Sequence, residues 1–256
     1  MTKKEMMKIR ERLQAEAENF VENYCRQNQT QRFWQTPVVK YADAHHPEIR
    51  QLRSTVMENH YLPEELLSDP TVILIYYLPF HQDVGKSNIG NEFASECWAK
   101  VYKETHYLSA GLNNHLAKIV HELGYRAAVP QNIGPFNEEV LKSRWSHRHI
   151  AKAAGFGTFG INRMLITENG CCGRYYSIVT DLPIDADAPV EEEWCLYKRK
   201  GTCGICIKQC YSGALTKDNF DRHKCYELTL KNAAIYDGAT VCGKCVVGLP
   251  CSFKKP

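Results

Sequence analysis

Eight of the twelve cysteines lie between Cys195 and Cys251, and they carry the chemistry this sequence could do: Cys195, Cys203, Cys206, Cys210, Cys225, Cys242, Cys245 and Cys251. Their core reads C-G-I-C-I-K-Q-C from Cys203 and C-G-K-C from Cys242. A Cys-x2-Cys step puts two thiolates on one side of a tight turn. The glycines after Cys203 and Cys242 let backbone fold closely around a metal centre. Three chemistries compete for the set. Disulfides fit poorly, because the charged N-terminus lacks the apolar run of a secretory signal and cytosolic chains seldom carry them. Structural zinc uses Cys-x2-Cys pairs, usually two of them with no ordered excess. Ferredoxin-type 4Fe–4S clusters use three close cysteines plus a fourth that crosses to the other cluster. Cys206-x3-Cys210 has that crossing spacing, and the cluster reading accounts for most of the pattern.

The crossing logic assigns Cys195, Cys203, Cys206 and Cys251 to one cluster. Cys210, Cys225, Cys242 and Cys245 then hold the other. The first gap is seven residues instead of two, the last is five instead of three, and no proline follows Cys210 or Cys251. Ser212-Gly213-Ala214-Leu215 is expected to be the helix that follows such a run.

The elements that must position these thiols come from the rest of the chain. With 256 residues, 44% hydrophobic and 24% charged, the chain can bury a core of ordinary globular kind. Residues 1–188 are expected to form an α/β domain and 189–256 an iron–sulfur domain. The formal net charge of +3 is too mild to argue for nucleic acid. No apolar run approaches the roughly 18 residues a membrane span needs, and a cytoplasmic location is expected.

Residues 3–27 repeat apolar positions at helical spacing. Pro37-Val-Val-Lys-Tyr reads as a short strand, and 47–68 as helix and loop with a helix start at Pro63. Thr71 to Phe80 is β-branched, aromatic and uninterrupted, which predicts a central strand. Residues 91–124 carry a long helical pattern, expected to break near His106 and to end on Gly124. Arg126 to Pro130 reads as a short strand and Gln131 to Pro135 as a turn. Residues 146–154 form a basic helix with Ser146 as N-cap. Gly155-Phe-Gly157-Thr-Phe-Gly160 spells G-x-G-x-x-G, but it follows a helix and precedes a strand, so it is not a dinucleotide fingerprint. Its glycines are expected to let backbone pass close to a flat ligand. Tyr175 to Thr180 is another strand, with Cys171-Cys172 in the turn before it.

The stretch Ala151-Lys-Ala-Ala-Gly155-Phe-Gly157-Thr-Phe-Gly160-Ile-Asn162-Arg-Met-Leu165-Ile166 resembles the A-x-x-A-G-L-G-x-x-G-x-N-x-L-L-I signature of epoxyqueuosine reductases, relatives of the corrinoid-dependent reductive dehalogenases. Thr180-Asp181-Leu182 matches their T-D-L, and His223-Lys224-Cys225 resembles their lone cysteine between the two ferredoxin turns. The likeness covers roughly residues 70–251. It implies a nitroreductase-like α/β sandwich core holding a base-off cobalamin, with Gly155, Gly157, Gly160 and Asn162 as cofactor-binding residues. It also implies a C-terminal ferredoxin-like module whose two 4Fe–4S clusters feed electrons to cobalt. A low-potential donor of ferredoxin or flavodoxin type and a small-molecule or corrinoid ligand follow as partners.

Two departures bear on the reaction. The family places a catalytic aspartate in a D-x-G-P turn, and here Asn132 fills that place before Ile133-Gly134-Pro135. An amide cannot donate the proton, which leaves Tyr107 and His149 as replacement donors. The tRNA-modifying members continue into a helical-repeat domain, and this chain stops five residues after Cys251. Both the length and the mild charge argue against tRNA. The expected activity is a cobalamin-dependent reduction of an unidentified substrate. The alternative is a non-catalytic electron-transfer or corrinoid-reducing protein with the same clusters.

Overall fold

A computed structural model describes residues 2–28, 33–130 and 138–256. In chain order its elements are α1 (Lys3–Gln27), β1 (Val38–Asp43), α2 (Pro47–Arg50), α3 (Leu52–Thr55), β2 (Val72–Pro79), α4 (Gln82–Ser87), α5 (Glu96–Glu122), β3 (Ala127–Ala128), α6 (His147–Ala153), β4 (Gly157–Phe159), β5 (Leu165–Thr167), β6 (Gly173–Thr180), α7 (Leu196–Lys200), α8 (Ile205–Lys208) and α9 (Arg222–Ile235). Short 3-10 turns lie at Pro63–Glu65 and Lys244–Val246.

The organising strand is β2, buried at all eight positions. It pairs antiparallel with β1 on one side and β6 on the other, and β3 completes the order β1-β2-β6-β3. Strand alternation sends Val72, Leu74, Tyr76 and Leu78 into a core shared with α1 and α5. Ile73, Ile75 and Tyr77 enter a second core, on the opposite face, with α2, α3 and α6. The result is a mixed α and β sandwich around an antiparallel sheet. A two-stranded sheet, β4 with β5, stands apart from it.

Helix α1 starts on a capping box: Thr2 Oγ1 accepts from Glu5 N–H, and the Glu5 carboxylate accepts from Thr2 N–H at 2.7 Å. Its buried stripe is Leu13, Ala17 and Val21. Helix α5 runs unbroken through His106, which corrects the expected break. Thr105 Oγ1 donates back to the Val101 carbonyl and accepts from Trp34 Nε1 at 2.9 Å, so the polar groups are satisfied without interrupting the ladder. The chain leaves α5 through Gly124 at φ +86°.

Strand β3 spans only two residues, opposite Val179 and Thr180. Arg126 holds it there by donating from both its backbone N–H and its Nε to the Asp181 carboxylate. The Arg126 guanidinium and backbone amide keep the Asp181 carboxyl below its usual range, against the effect of partial burial. Beyond β3, the first half of β6 has no strand on that side among the described residues.

The cysteine-bearing segment packs into the first core, where Trp194, Val241, Val246 and Val247 join α1 and α5. Lys244, 3% exposed, fastens it: Nζ donates to Asn88 O, Asn88 Oδ1 and Gly90 O. The helix expected at Ser212–Leu215 is a turn instead, with Gly213 at φ +65°. The turn aims Leu215 N–H at Cys210 Sγ, 3.3 Å away, a contact a helix there would not make. Among the described residues no helix is long and apolar enough to cross a membrane.

Candidate functional site

The eight cysteines fall into two groups in space. Cys195, Cys203, Cys206 and Cys251 line one small, largely apolar pocket together with Gly160 and Asn162. Cys245 lies within electrostatic reach of Cys242, Cys225 and Cys210, and also of Cys206 from the first group. All twelve cysteines are unbridged. Among the described residues, no three His, Cys, Asp or Glu side chains converge at the spacing of a single metal ion.

Local backbone explains how these thiols converge. Cys203 and Gly204 both have positive φ, +96° and +88°, so the chain doubles back before α8. Gly243 sits at φ +75° with its Cα flush against the Trp98 indole, where a Cβ would collide with the ring. Burial pushes the Cys206 thiol up to about 12 and the Cys225 thiol up to about 11, with neighbouring thiols adding to each shift. Burial also raises Cys242 and Cys245. Such a set stays protonated unless a cationic centre replaces the protons. Cys251 differs. A hydrogen bond from the Cys171 thiol lowers its pKa and favours the thiolate, the form that binds metal.

A cavity of about 650 Å³ opens where β3 stops covering β6. Its walls come from the start of β6, from α5, from residues 141–149 and from the loop 241–246. Cys245 and Cys171 line it, so it shares a wall with the thiol groups. Asn162 spans that wall: Nδ2 donates to the Cys245 carbonyl at 2.8 Å while the residue lines the small pocket. Trp98 Nε1 and Tyr176 Oη, both on cavity residues, are buried without a partner.

The predicted site residues are distributed unevenly. His149 lines the cavity, with Nδ1 2.7 Å from Ser146 Oγ. Burial, and then the positive charge of Arg148, lower it to about 4, so its imidazole is neutral near pH 7. Ser146 is the N-cap of α6 but makes no side-chain bond to its backbone, being turned to His149. Tyr107 is 66% exposed on α5 and does not line the cavity. Asn132, like the whole turn expected at 131–135, lies outside the described residues.

The glycine stretch packs against the chain itself. Gly155 abuts the Ala188 carbonyl and Gly157 abuts the Ile166 carbonyl and the Trp194 ring, where any Cβ would collide. These two glycines permit close chain-to-chain packing and do not face the large cavity. Gly160 and Asn162 line the thiol pocket instead. Sequence reasoning missed His106, His147, Arg148, Arg174 and Arg222, all on the cavity wall. No local motif marks them, because they come together from four separate segments.

No protein-family model matches the chain. Over 130 residues it is 38% identical to an epoxyqueuosine reductase of Leadbetterella byssophila, a match covering 48% of this chain and 37% of that one. Its fold is similar to that of an epoxyqueuosine reductase crystallised with an epoxyqueuosine-modified tRNA stem loop. That likeness has a TM-score of 0.56 at 17% identity, covering 90% of this chain and 64% of the other. It is also similar to a reductive dehalogenase whose structure suggests a mechanism for B12-dependent dehalogenation, with a TM-score of 0.57 at 15% identity over 81% and 28% of the two chains. The match thus spans little more than a third of the curated relative. The chain is similar in sequence to an epoxyqueuosine reductase over about half its length, and similar in fold to epoxyqueuosine reductases and a reductive dehalogenase. Since one relative was crystallised with a tRNA stem loop, the sequence-based argument against tRNA finds no support here.

Proposed function

We propose that the chain is an iron–sulfur reductase in which two 4Fe–4S clusters drive a cobalamin-dependent reduction in the large cavity. The position of Cys245 carries this reading: it belongs to the second thiol group and lines the cavity. In this reading residues 1–188 form a nitroreductase-like core and 189–256 a ferredoxin-like module, working in the reducing cytoplasm. Cys195, Cys203, Cys206 and Cys251 would hold the outer cluster. Cys203 is exposed, which suits electron delivery from a ferredoxin or flavodoxin. Cys210, Cys225, Cys242 and Cys245 would hold the cluster beside the cavity. The Leu215 N–H on Cys210 and the Cys171 thiol on Cys251 would tune the two potentials.

The cavity residues fit a corrinoid. The volume is within the range of cofactor sites. Trp98, Tyr102, Trp145 and Tyr175 offer flat apolar walls, and the orphaned Trp98 Nε1 and Tyr176 Oη offer polar groups for peripheral amides. A base-off cobalamin held by these residues would supply a cobalt centre for low-potential electron transfer to substrate. The protein's own part is to orient both ligands and to exclude water. His149 can donate a hydrogen bond as a neutral imidazole but carries no spare proton near pH 7.

One observation favours the alternative of a non-catalytic electron-transfer or corrinoid-reducing protein: no Asp or Glu lines the cavity among the described residues, and Asn132 is an amide. Anaerobic reconstitution with iron and sulfide tests the shared part. The expected result is about eight irons per chain and a broad visible absorption that bleaches with dithionite. Stoichiometric zinc without labile sulfide would overturn it.

A further inference from the structure

The walls of the large cavity carry one sign of charge. Arg148, Arg174, Arg222 and Lys142 line it, and no carboxylate side chain does among the described residues. The undescribed stretches 29–32 and 131–137 contain no Asp or Glu either. Every arginine ion pair among the described residues involves some other arginine. Burial acts most strongly against protonated Arg148; Tyr175 and Cys245 act in its favour, and the positive charges of Arg174 and Arg222, both within electrostatic reach, act against it. Like charges gathered without a counter-ion cost free energy unless a ligand supplies the opposite charge.

Packing aims two of them. The Arg174 guanidinium lies 4.3 Å from the centre of the Tyr102 ring, and Arg148 Nη1 donates to the Arg163 carbonyl at 3.0 Å. Each guanidinium keeps further N–H donors in the planar fork that matches a carboxylate or phosphate. Burial, as the largest cause, brings His106, His147 and His149 each down to about 4. The cavity's histidines therefore add no positive charge near neutral pH.

We infer that the ligand of this cavity is an anion, bearing a carboxylate or phosphate group that Arg148, Arg174 and Arg222 hold beside Cys245. The inference rests on the reading of the cavity as the reaction chamber and names the substrate class for it. Two sources share this chemistry: an anionic group of the substrate itself, and the phosphodiester in the nucleotide tail of a cobalamin.

Calorimetric titration of the cluster-loaded full chain separates these cases. The probes are inorganic phosphate, benzoate and its neutral isostere benzamide, each with no corrinoid, with cobalamin, and with cobinamide, which lacks the tail. Benzoate should bind at least about tenfold more tightly than benzamide, and phosphate should bind with a strong salt dependence. Arg174→Gln and Arg222→Gln should each weaken benzoate about tenfold or more while leaving the melting temperature and iron content unchanged. If the tail is the anion, cobalamin blocks benzoate and cobinamide does not. If the substrate is, benzoate binds with either corrinoid present. Equal binding of benzamide and benzoate, no binding of either anion, or unchanged benzoate affinity in both variants would each overturn the inference. Anion binding in a chain that takes up no corrinoid would instead remove the cobalamin reading and leave this one standing.

Discussion

The thiol pocket and the large cavity share a wall but not a chemistry. The pocket is small and apolar, closed by Ile166, Leu249 and Pro250 around four cysteines. The cavity is wide, aromatic and cationic. Across the wall, Cys171 meets Cys251 and Asn162 meets the Cys245 carbonyl. The difference follows from how each is built. Three of the pocket's cysteines come from one short segment, held by turns with positive φ. The cavity forms where β3 ends early and distant segments must meet. A region built locally tolerates little change in its turns. A region built by convergence should tolerate exchange of its charged side chains with loss of binding only.

The largest effects should come from the thiols. Cys203→Ala and Cys210→Ala should each remove about four of about eight irons and abolish electron delivery. They should remove different clusters, although the two residues lie in one short run. Site-selective spectroscopy that found the same cluster lost in both would break the crossed grouping. Next in size is Asn132→Asp. If the amide is what withholds a proton, the aspartate should raise any epoxyqueuosine reduction by roughly 10²–10⁴-fold. Tyr107→Phe, at an exposed position, should leave reduction unchanged.

Smaller effects concern the frame around the two regions. Gly243→Ala forces a Cβ into Trp98 at a positive φ and should cost more than the roughly 1–2 kcal/mol of the left-handed backbone alone. Gly213→Ala, also at positive φ but with open space around it, should cost only that backbone amount. Equal denaturant midpoints for the two would remove the claim that the Cys242 turn is pressed against α5.

The smallest effect should be a pH dependence of stability. His106, His147 and His149 have folded pKa values near 4, below the unfolded value near 6.5. A depressed folded pKa leaves stability intact above pH 6.5 and erodes it as pH falls from about 6.5 toward 4. Melting curves from pH 8 to 4.5 should decline in that window, and His147→Asn should flatten the decline.

How much of this was legible in the sequence varied with the range of the interactions. Helix α1 follows from its period, strand β2 from an uninterrupted β-branched and aromatic run, and the Cys-x2-Cys turns from residue type and spacing. Cys195, Cys203, Cys206 and Cys251 line one pocket, and their assignment to one cluster by the crossing logic stands as a proposal. The helix after Cys210 failed because Gly213 takes a left-handed turn that brings an amide to the sulfur. The glycine stretch is ambiguous for a different reason. A glycine needed for close approach looks the same in sequence whether the approaching group is a ligand or the Ile166 carbonyl. The arginines of the cavity left no local signal, since only the fold brings Arg148, Arg174 and Arg222 to one wall.

The central claim is that this cavity holds a corrinoid next to a reducible iron–sulfur centre. An anaerobic cobalamin titration of the cluster-loaded chain, followed by absorption, tests it most directly. The account predicts saturable, stoichiometric binding with a shift to the base-off spectrum, and reduction of the bound cobalamin once dithionite has bleached the clusters. An unchanged cobalamin spectrum at excess protein, in a chain with its full iron content, would contradict it.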